Sequence, residues 1–309
     1  MALVHAESLD ERPLPELGGV GPHACKDLLS WKGRRFMLPP SDPALLALHH
    51  GGPAAVPAHD NLVGAVRCWQ EHPDWMDQLD PSSAVFEDKQ MERALYLDEW
   101  QDHLPAGARV LDLGGGVGRF AQWLVGRGCE VELVDAGLRS LWCAMAHLAG
   151  GPGGLDLHWS TGAKLGAMMP VDRAVAAELL CYVPDPHAVL DEVARVLKPD
   201  GLLLLSVEST AGAALHRDAV GGQLTEAGVI HLPGDCWVQT YTEHSLRDLL
   251  KGWKILSLQP SHYVLSGPLE EQAEGKSLDE IRSLERQARQ DAQTTQMNRA
   301  WMAVVSPKG

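Results

Sequence analysis

The sequence predicts an α/β fold: a doubly wound, mostly parallel sheet of seven strands that closes with an antiparallel strand, preceded by an extension of helices and loops. Three observations predict it. From Pro105 onward, short apolar runs alternate with helix-period segments, the pattern of strands covered by helices. Residues 202–207 are almost uninterruptedly apolar, as a strand buried on both faces requires. Gly114, Gly116 and Gly118 directly follow one predicted strand and open a helix, where a backbone turn can approach a ligand closely.

Residues 1–57 are broken by Gly-Gly, Pro-Pro and Gly-Gly-Pro, with only short apolar groups such as Leu45-Leu46-Ala47-Leu48, and read as loops with one or two brief helices. Helical spacing then appears: Leu62, Val66 and Trp69 share one face, and Met91, Leu95 and Leu97 form a second run. After Pro105-Ala-Gly-Ala, residues 109–113 are a strand and 118–126 a helix with Phe120, Trp123 and Leu124 at core spacing. Residues 130–134 and 138–148 are the next strand and helix, and 155–159 and 173–179 are two further strands. Asp185 caps a helix that has Pro186 at its first position and Val189, Leu190, Val193 and Leu197 inward. Beyond the strand at 202–207 lies a polar, Gly-rich stretch from 208 to 241, then a helix capped by Thr242, with Leu246, Leu249 and Leu250 inward and Gly252 at its end. Residues 254–258 and 263–265 read as one broken strand. Ser277-Leu-Asp-Glu280 is a capping box whose helix places Leu278, Ile281 and Leu284 on one face. Its mixed-sign run 282–289, with Glu285 and Arg289 one turn apart, reads as a solvated face. Residues 301–305 form the last strand.

Composition narrows the function classes. The chain has 309 residues, 45% of them hydrophobic and 22% charged, which excludes collagenous, low-complexity and wholly disordered classes. Its net charge of -15 repels a phosphate backbone, so nucleic acid is not expected as a partner. The start lacks a basic segment followed by an apolar one, and no apolar run approaches the ~18 residues of a membrane span. Six cysteines, at 25, 68, 129, 143, 181 and 236, form no C-x-x-C pair, so a reducing cytoplasm is expected rather than a disulfide framework. His49, His50 and His59 have no carboxylate or cysteine partners at ligand spacing, and no metal is expected. Ten Trp stand against four Tyr and three Phe. Trp123 and Trp142 fall at helix spacing and read as core.

The string Val110-Leu-Asp112-Leu-Gly114-Gly-Gly116-Val-Gly118-Arg-Phe120 carries the chemistry. Asp135 ends the following strand, where a carboxylate can accept hydrogen bonds from both hydroxyls of a ribose. The glycines alternate after Asp112 instead of following the G-x-G-x-x-G of a dinucleotide site. This first motif, together with Asp135, Ala174-Val-Ala-Ala-Glu178-Leu-Leu-Cys-Tyr182-Val-Pro-Asp-Pro and Val193-Ala-Arg-Val-Leu-Lys198-Pro-Asp-Gly201, resembles the class I S-adenosylmethionine-dependent methyltransferases. The resemblance covers roughly residues 89–210 and implies a Rossmann-like domain over 105–309 with insertions at about 208–241 and 266–297. The extension, 1–104, then serves as lid and acceptor-pocket wall.

The resemblance further implies S-adenosylmethionine as cofactor. Gly114, Gly116 and Gly118 would line its methionine part, Asp112 would hold the amino group and Asp135 the ribose; Ala136, Thr161, Gly162, Glu178 and Leu179 complete the set. Where relatives carry an acid for the adenine, this chain has Ser160-Thr161-Gly162-Ala163, so a hydroxyl or backbone carbonyl must accept instead. Cys181 and Tyr182 occupy the place where relatives often have histidine. The sulfonium is already activated, so alignment of nucleophile, methyl and sulfur is the main task. A hydroxyl, thiol or protonated amine acceptor also needs a base. Of His216, His231 and His244, His231 is preferred as a catalytic candidate beside Tyr182, because Val229-Ile230 and Leu232 flank it. Tyr182, Trp237 and Tyr241 are the candidate acceptor contacts. A small-molecule acceptor is expected, with no nucleic-acid or membrane partner and self-association left open. Cyclisation, decarboxylation or aminopropyl transfer at the same site is the alternative, and a non-catalytic binding or scaffold protein is a third reading.

Overall fold

The computed structural model describes residues 78–148, 152–216, 223–232 and 236–308, together with the backbone of two short strands, β1 (Leu29–Trp31) and β2 (Arg34–Met37). After these come α1 (Phe86–Trp100), β3 (Arg109–Leu113), α2 (Arg119–Gly126), β4 (Glu130–Asp135), α3 (Leu138–Leu148), β5 (Gly154–Trp159) and β6 (Val171–Ala176). Next are α4 (Pro186–Val196), β7 (Leu197–Glu208), α5 (Thr210–His216), β8 (Gln223–Leu224), β9 (Val229–Leu232) and β10 (Cys236–Gln239). The chain closes with α6 (Glu243–Leu249), β11 (Trp253–Ser261), α7 (Leu278–Gln290) and β12 (Ala300–Pro307).

The main sheet has the order β1-β2-β5-β4-β3-β6-β7-β12-β11. Its strands from β2 through β7 run parallel, and β12 is antiparallel to both β7 and β11. The strands β5 to β11 in this row are the seven expected from the sequence. The chain leaves β3 for β4 on one side and reaches β6 on the other, so a crevice opens beyond the C-terminal ends of these three strands. Apolar side chains alternate between the two faces. Val110, Val131, Leu133, Leu155 and Leu157 pack with α1, α2 and α3, whereas Leu111, Leu113, Val134, Ala174 and Leu203 pack with α4 and α6.

Helix starts follow the expected chemistry. Asp185 accepts from the Ala188 N–H, Thr242 and Ser245 cap reciprocally, and so do Ser277 and Glu280. Four expectations are corrected. Two strands replace loop and helix in part of residues 1–57, and β2 extends the sheet beyond β5; residues 61–77, including the Leu62–Val66–Trp69 face, lie outside the described residues. β6 ends at Ala176 rather than 179, because the backbone turns at Glu178 (φ 55°), whose N–H donates to Ser206 O and Oγ at 3.1 and 2.9 Å. β11 runs unbroken to Ser261, and residues 263–265 leave it after His262 (φ 58°). Their N–H groups go instead to the Glu285 carboxylate at 2.9–3.3 Å. Glu285 is therefore buried, and α7 is docked rather than solvated: Arg282 pairs with Asp98 and Arg289 with Glu99, both on α1. The insertion after β7 forms α5 and the antiparallel sheet β10-β9-β8, tied to the loop after β6 by Gln239 N–H donating to Cys181 O at 2.8 Å. Among the described residues, no helix is long and apolar enough to cross a membrane.

Candidate active site

A cavity opens at the C-terminal ends of β3, β4 and β6. Its first wall is the turn from β3 into α2. The Gly114 and Gly115 N–H groups donate to Val134 O at 2.8 and 3.2 Å, which bends the turn over β4. A Cβ on Gly114 (φ 68°) would stand 2.8 Å from Leu179 Cδ1, so glycine both suits the left-handed backbone and lets the loop after β6 approach here. Gly114 and Gly116 line the cavity. Gly118 does not: as the left-handed N-cap of α2 (φ 92°) it lies where a Cβ would meet Leu148 Cδ1 at 2.6 Å. Its glycine serves helix packing.

Asp112 lines the cavity floor, 2% exposed, and accepts from the Ala121 N–H at 2.9 Å. Burial pushes its carboxyl up to about 7, against the pull of that hydrogen bond and of Arg119. Asp135 accepts from Gly116 N–H at 2.9 Å and from Gly137 N–H at 2.7 Å, so it braces the glycine turn while facing the cavity. Burial raises its carboxyl and these two N–H groups oppose the rise. Ala136 is fixed by the Trp159 indole, which donates to its carbonyl at 2.8 Å. Thr161 and Gly162 close the side beyond β5, next to Ser160.

Glu178, Leu179 and Tyr182 form the wall beyond β6. Glu178 Oε1 accepts from Tyr96 OH at 2.8 Å and from Arg299. Arg299 also pairs with Glu92 at 3.2 Å and Glu208 at 3.7 Å, and Glu92 with Arg119 at 2.5 Å and Lys89 at 2.9 Å. Burial holds the Tyr182 phenol well above its ordinary range, reinforced by Glu208 and Glu178, so it stays protonated and is no base near neutral pH. Burial likewise raises Cys181, whose Sγ accepts from the Glu208 N–H at 2.9 Å.

Three sequence candidates stand elsewhere. His231 is exposed on β9, so the flanking apolar residues do not enclose it; Trp237 faces it across the β9–β10 pair; neither lines the cavity. Tyr241 is buried, with its hydroxyl donating to Leu180 O at 3.2 Å, and supports the loop after β6 from behind. Sequence reasoning missed Tyr96, Arg119 and Arg299. Arg119 sits inside the quoted glycine string, but Arg299 meets Glu178 across 121 positions, a pairing without a local signal. Among the described residues, no cluster of His, Cys, Asp and Glu is arranged to hold a metal ion.

Comparison with known proteins agrees with this geometry. A family model described as a methyltransferase domain matches residues 87–257. A ubiquinone biosynthesis O-methyltransferase from Xanthomonas euvesicatoria pv. vesicatoria (strain 85-10) is 32% identical over 120 residues, 38% of this chain and 50% of that protein. An uncharacterized methyltransferase from Mycobacterium sp. (strain JLS) is 34% identical over 120 residues, covering 37% and 45%. The chain thus spans about half the length of the curated relatives it matches. Among solved structures, the PH0226 protein from Pyrococcus horikoshii OT3 superposes with a TM-score of 0.54 at 16% identity, over 78% of this chain and 99% of that one. Magnesium protoporphyrin IX methyltransferase from Synechocystis PCC 6803, with bound S-adenosylhomocysteine, gives 0.51 at 14% identity, over 81% and 100%. At these identities the likeness is one of fold.

Proposed function

Because the chain belongs to the methyltransferase-domain family, we propose that it transfers the methyl group of S-adenosylmethionine to an O, N or S atom of a small-molecule acceptor by in-line displacement. The observation that carries this reading is the meeting of the glycine turn, Asp112 and Asp135 in one cavity at the switch point of the sheet. The donor set fits the cofactor: buried carboxylates for an ammonium and a ribose, and a turn whose missing Cβ atoms leave room for a ligand against the backbone. When bound, the cofactor supplies a methyl group already activated by its sulfonium.

The residues of the chain bind and orient. Asp112 takes the amino group, and Gly114 and Gly116 admit the methionine chain. Asp135 takes the ribose with the lone pairs its two N–H bonds leave over. Ala136, Thr161 and Gly162 flank the adenine, where the Thr161 hydroxyl and backbone carbonyls replace an acid. Glu178 and Leu179 close the reacting end, and Tyr182, protonated, bounds the acceptor space as a hydrogen-bond donor. Holding the reactants in line lowers the barrier by up to ~7–11 kcal/mol in ideal cases. Six cysteines without a C-x-x-C pair accord with a cytoplasmic setting, and the net charge of -15 counts against a polyanionic acceptor.

The test is product analysis. Incubation with S-adenosylmethionine and pooled phenols, amines and thiols should yield S-adenosylhomocysteine together with an acceptor heavier by one methylene. Cofactor breakdown without such a product would point to a non-methylating reaction.

A further inference from the structure

We propose that Glu178 is a fixed hydrogen-bond acceptor for the methyl acceptor itself, and that the substrate therefore presents an N–H or O–H donor, neutral or cationic, at this end of the cavity. The proposal rests on the methyl-transfer reading above and names its substrate class.

Glu178 is held in three ways. Its backbone sits at φ 55°, a region costly for a residue with a Cβ, and its N–H is secured by Ser206 O and Oγ. Among the described residues its side chain is tethered through Oε1 alone, to which the Tyr96 hydroxyl and the Arg299 guanidinium both donate. The side chain is still 15% exposed and lines the cavity, which leaves Oε2 as the oxygen a ligand can reach. The tethers are themselves rigid. Tyr96 is fully buried, with its ring centroid 5.0 Å from Trp100, 5.6 Å from Phe120 and 4.5 Å from His262. Arg299 is shared among Glu178, Glu92 and Glu208. An acceptor atom locked before the ligand arrives loses little freedom on binding, the condition for a specific contact.

Charge selects the same class. Burial is the largest influence on Glu178 and opposes its ionisation, but Arg299, His262 and Arg119 together outweigh it and keep the carboxyl below its ordinary range even with Glu92 nearby. Among the described residues that line the cavity, the one cationic side chain is Arg119, and Glu92 already engages it at 2.5 Å. An anionic acceptor would thus face Glu178, Asp112 and Asp135 with no free cation among the described lining residues. An ammonium or hydroxyl would complete the carboxylate's hydrogen bonding.

Calorimetry on the protein saturated with S-adenosylhomocysteine tests this with three probes matched in ring and size: benzylamine, benzyl alcohol and benzoate. Benzylamine should bind at least about tenfold more tightly than benzoate, with benzyl alcohol between them. Glu178→Gln, again saturated with S-adenosylhomocysteine, should erase that order. Tyr96→Phe, which keeps the ring but removes one tether, should reduce the order partway. Benzoate binding as well as benzylamine, an order that survives Glu178→Gln, no effect of Tyr96→Phe, or no binding of any probe would each overturn the proposal. Loss of affinity for S-adenosylmethionine but not S-adenosylhomocysteine in Glu178→Gln would assign the carboxylate to the sulfonium and overturn it as well. A wild-type protein that fails to bind S-adenosylhomocysteine would instead refute the methyl-transfer reading.

Discussion

Asp112 shows how a single carboxylate can be costly to the fold and useful to the site. Burial lifts its carboxyl from 3.8 to about 7, so the folded protein favours the protonated form. The stability tied to that proton is full below about pH 4 and lost as pH rises through about 7. Asp112→Asn should therefore raise the melting temperature at about pH 8 and lose this advantage at about pH 5, as scanning calorimetry would record. An ammonium partner favours the ionised form, so affinity for S-adenosylmethionine should climb from about pH 6 to about pH 8 in the wild type and flatten in the variant. The glycines separate in the same way. Gly118→Ala should cost about 1–3 kcal/mol in urea titrations, because Leu148 occupies the space a Cβ needs. Gly116→Ala meets no atom within 4 Å, so it carries only the strain of its left-handed backbone (φ 55°) and should in addition weaken cofactor binding. The sequence displayed all of these residues as one motif. It did not separate the glycine that faces a ligand from the glycine that faces a helix, because that depends on what α3 brings to Gly118.

At the scale of elements, short-range chemistry was legible and long-range docking was not. The caps at Asp185, Thr242 and Ser277 lie within a few residues of their partners, and each helix begins where its cap predicts. The charged run on α7 misled, because its partners Asp98 and Glu99 stand on α1, more than 180 positions earlier. Glu285 misled further: at one turn from Arg289 it resembles a surface pair, yet its carboxylate gathers the N–H groups of Tyr263, Val264 and Leu265. Glu285→Ala should leave these buried donors unpaired and cost about 2–4 kcal/mol, whereas Ser277→Ala, an exposed cap, should cost about 1 kcal/mol. Chemical denaturation of the two variants checks the ranking.

Over the whole molecule, a mostly parallel sheet covered on both faces followed from the alternation of apolar runs and helix periods, since β3, β4, β6 and β7 each contribute buried residues to both apolar clusters. The extra length was expected to form a lid, but its described part is woven into the core: Tyr96 and Trp100 of α1 are wholly buried, and β2 pairs with β5. The extension thus reaches the cavity from below, through Tyr96 on Glu178, a contact that depends on tertiary structure and has no mark in local sequence. The charge of -15 acts at this scale too. Self-repulsion should make the melting temperature rise with salt up to about 0.5 M, and a fall would indicate that attractive ion pairs dominate. The crevice beyond β3, β4 and β6 should hold S-adenosylmethionine on Asp135 and the glycine turn. Isothermal titration with S-adenosylhomocysteine tests it most directly: one saturable site is predicted in the wild type, weakened at least about tenfold by Asp135→Ala in a protein that remains folded. Absence of binding to the wild type, or equal affinity in the two proteins, would contradict it.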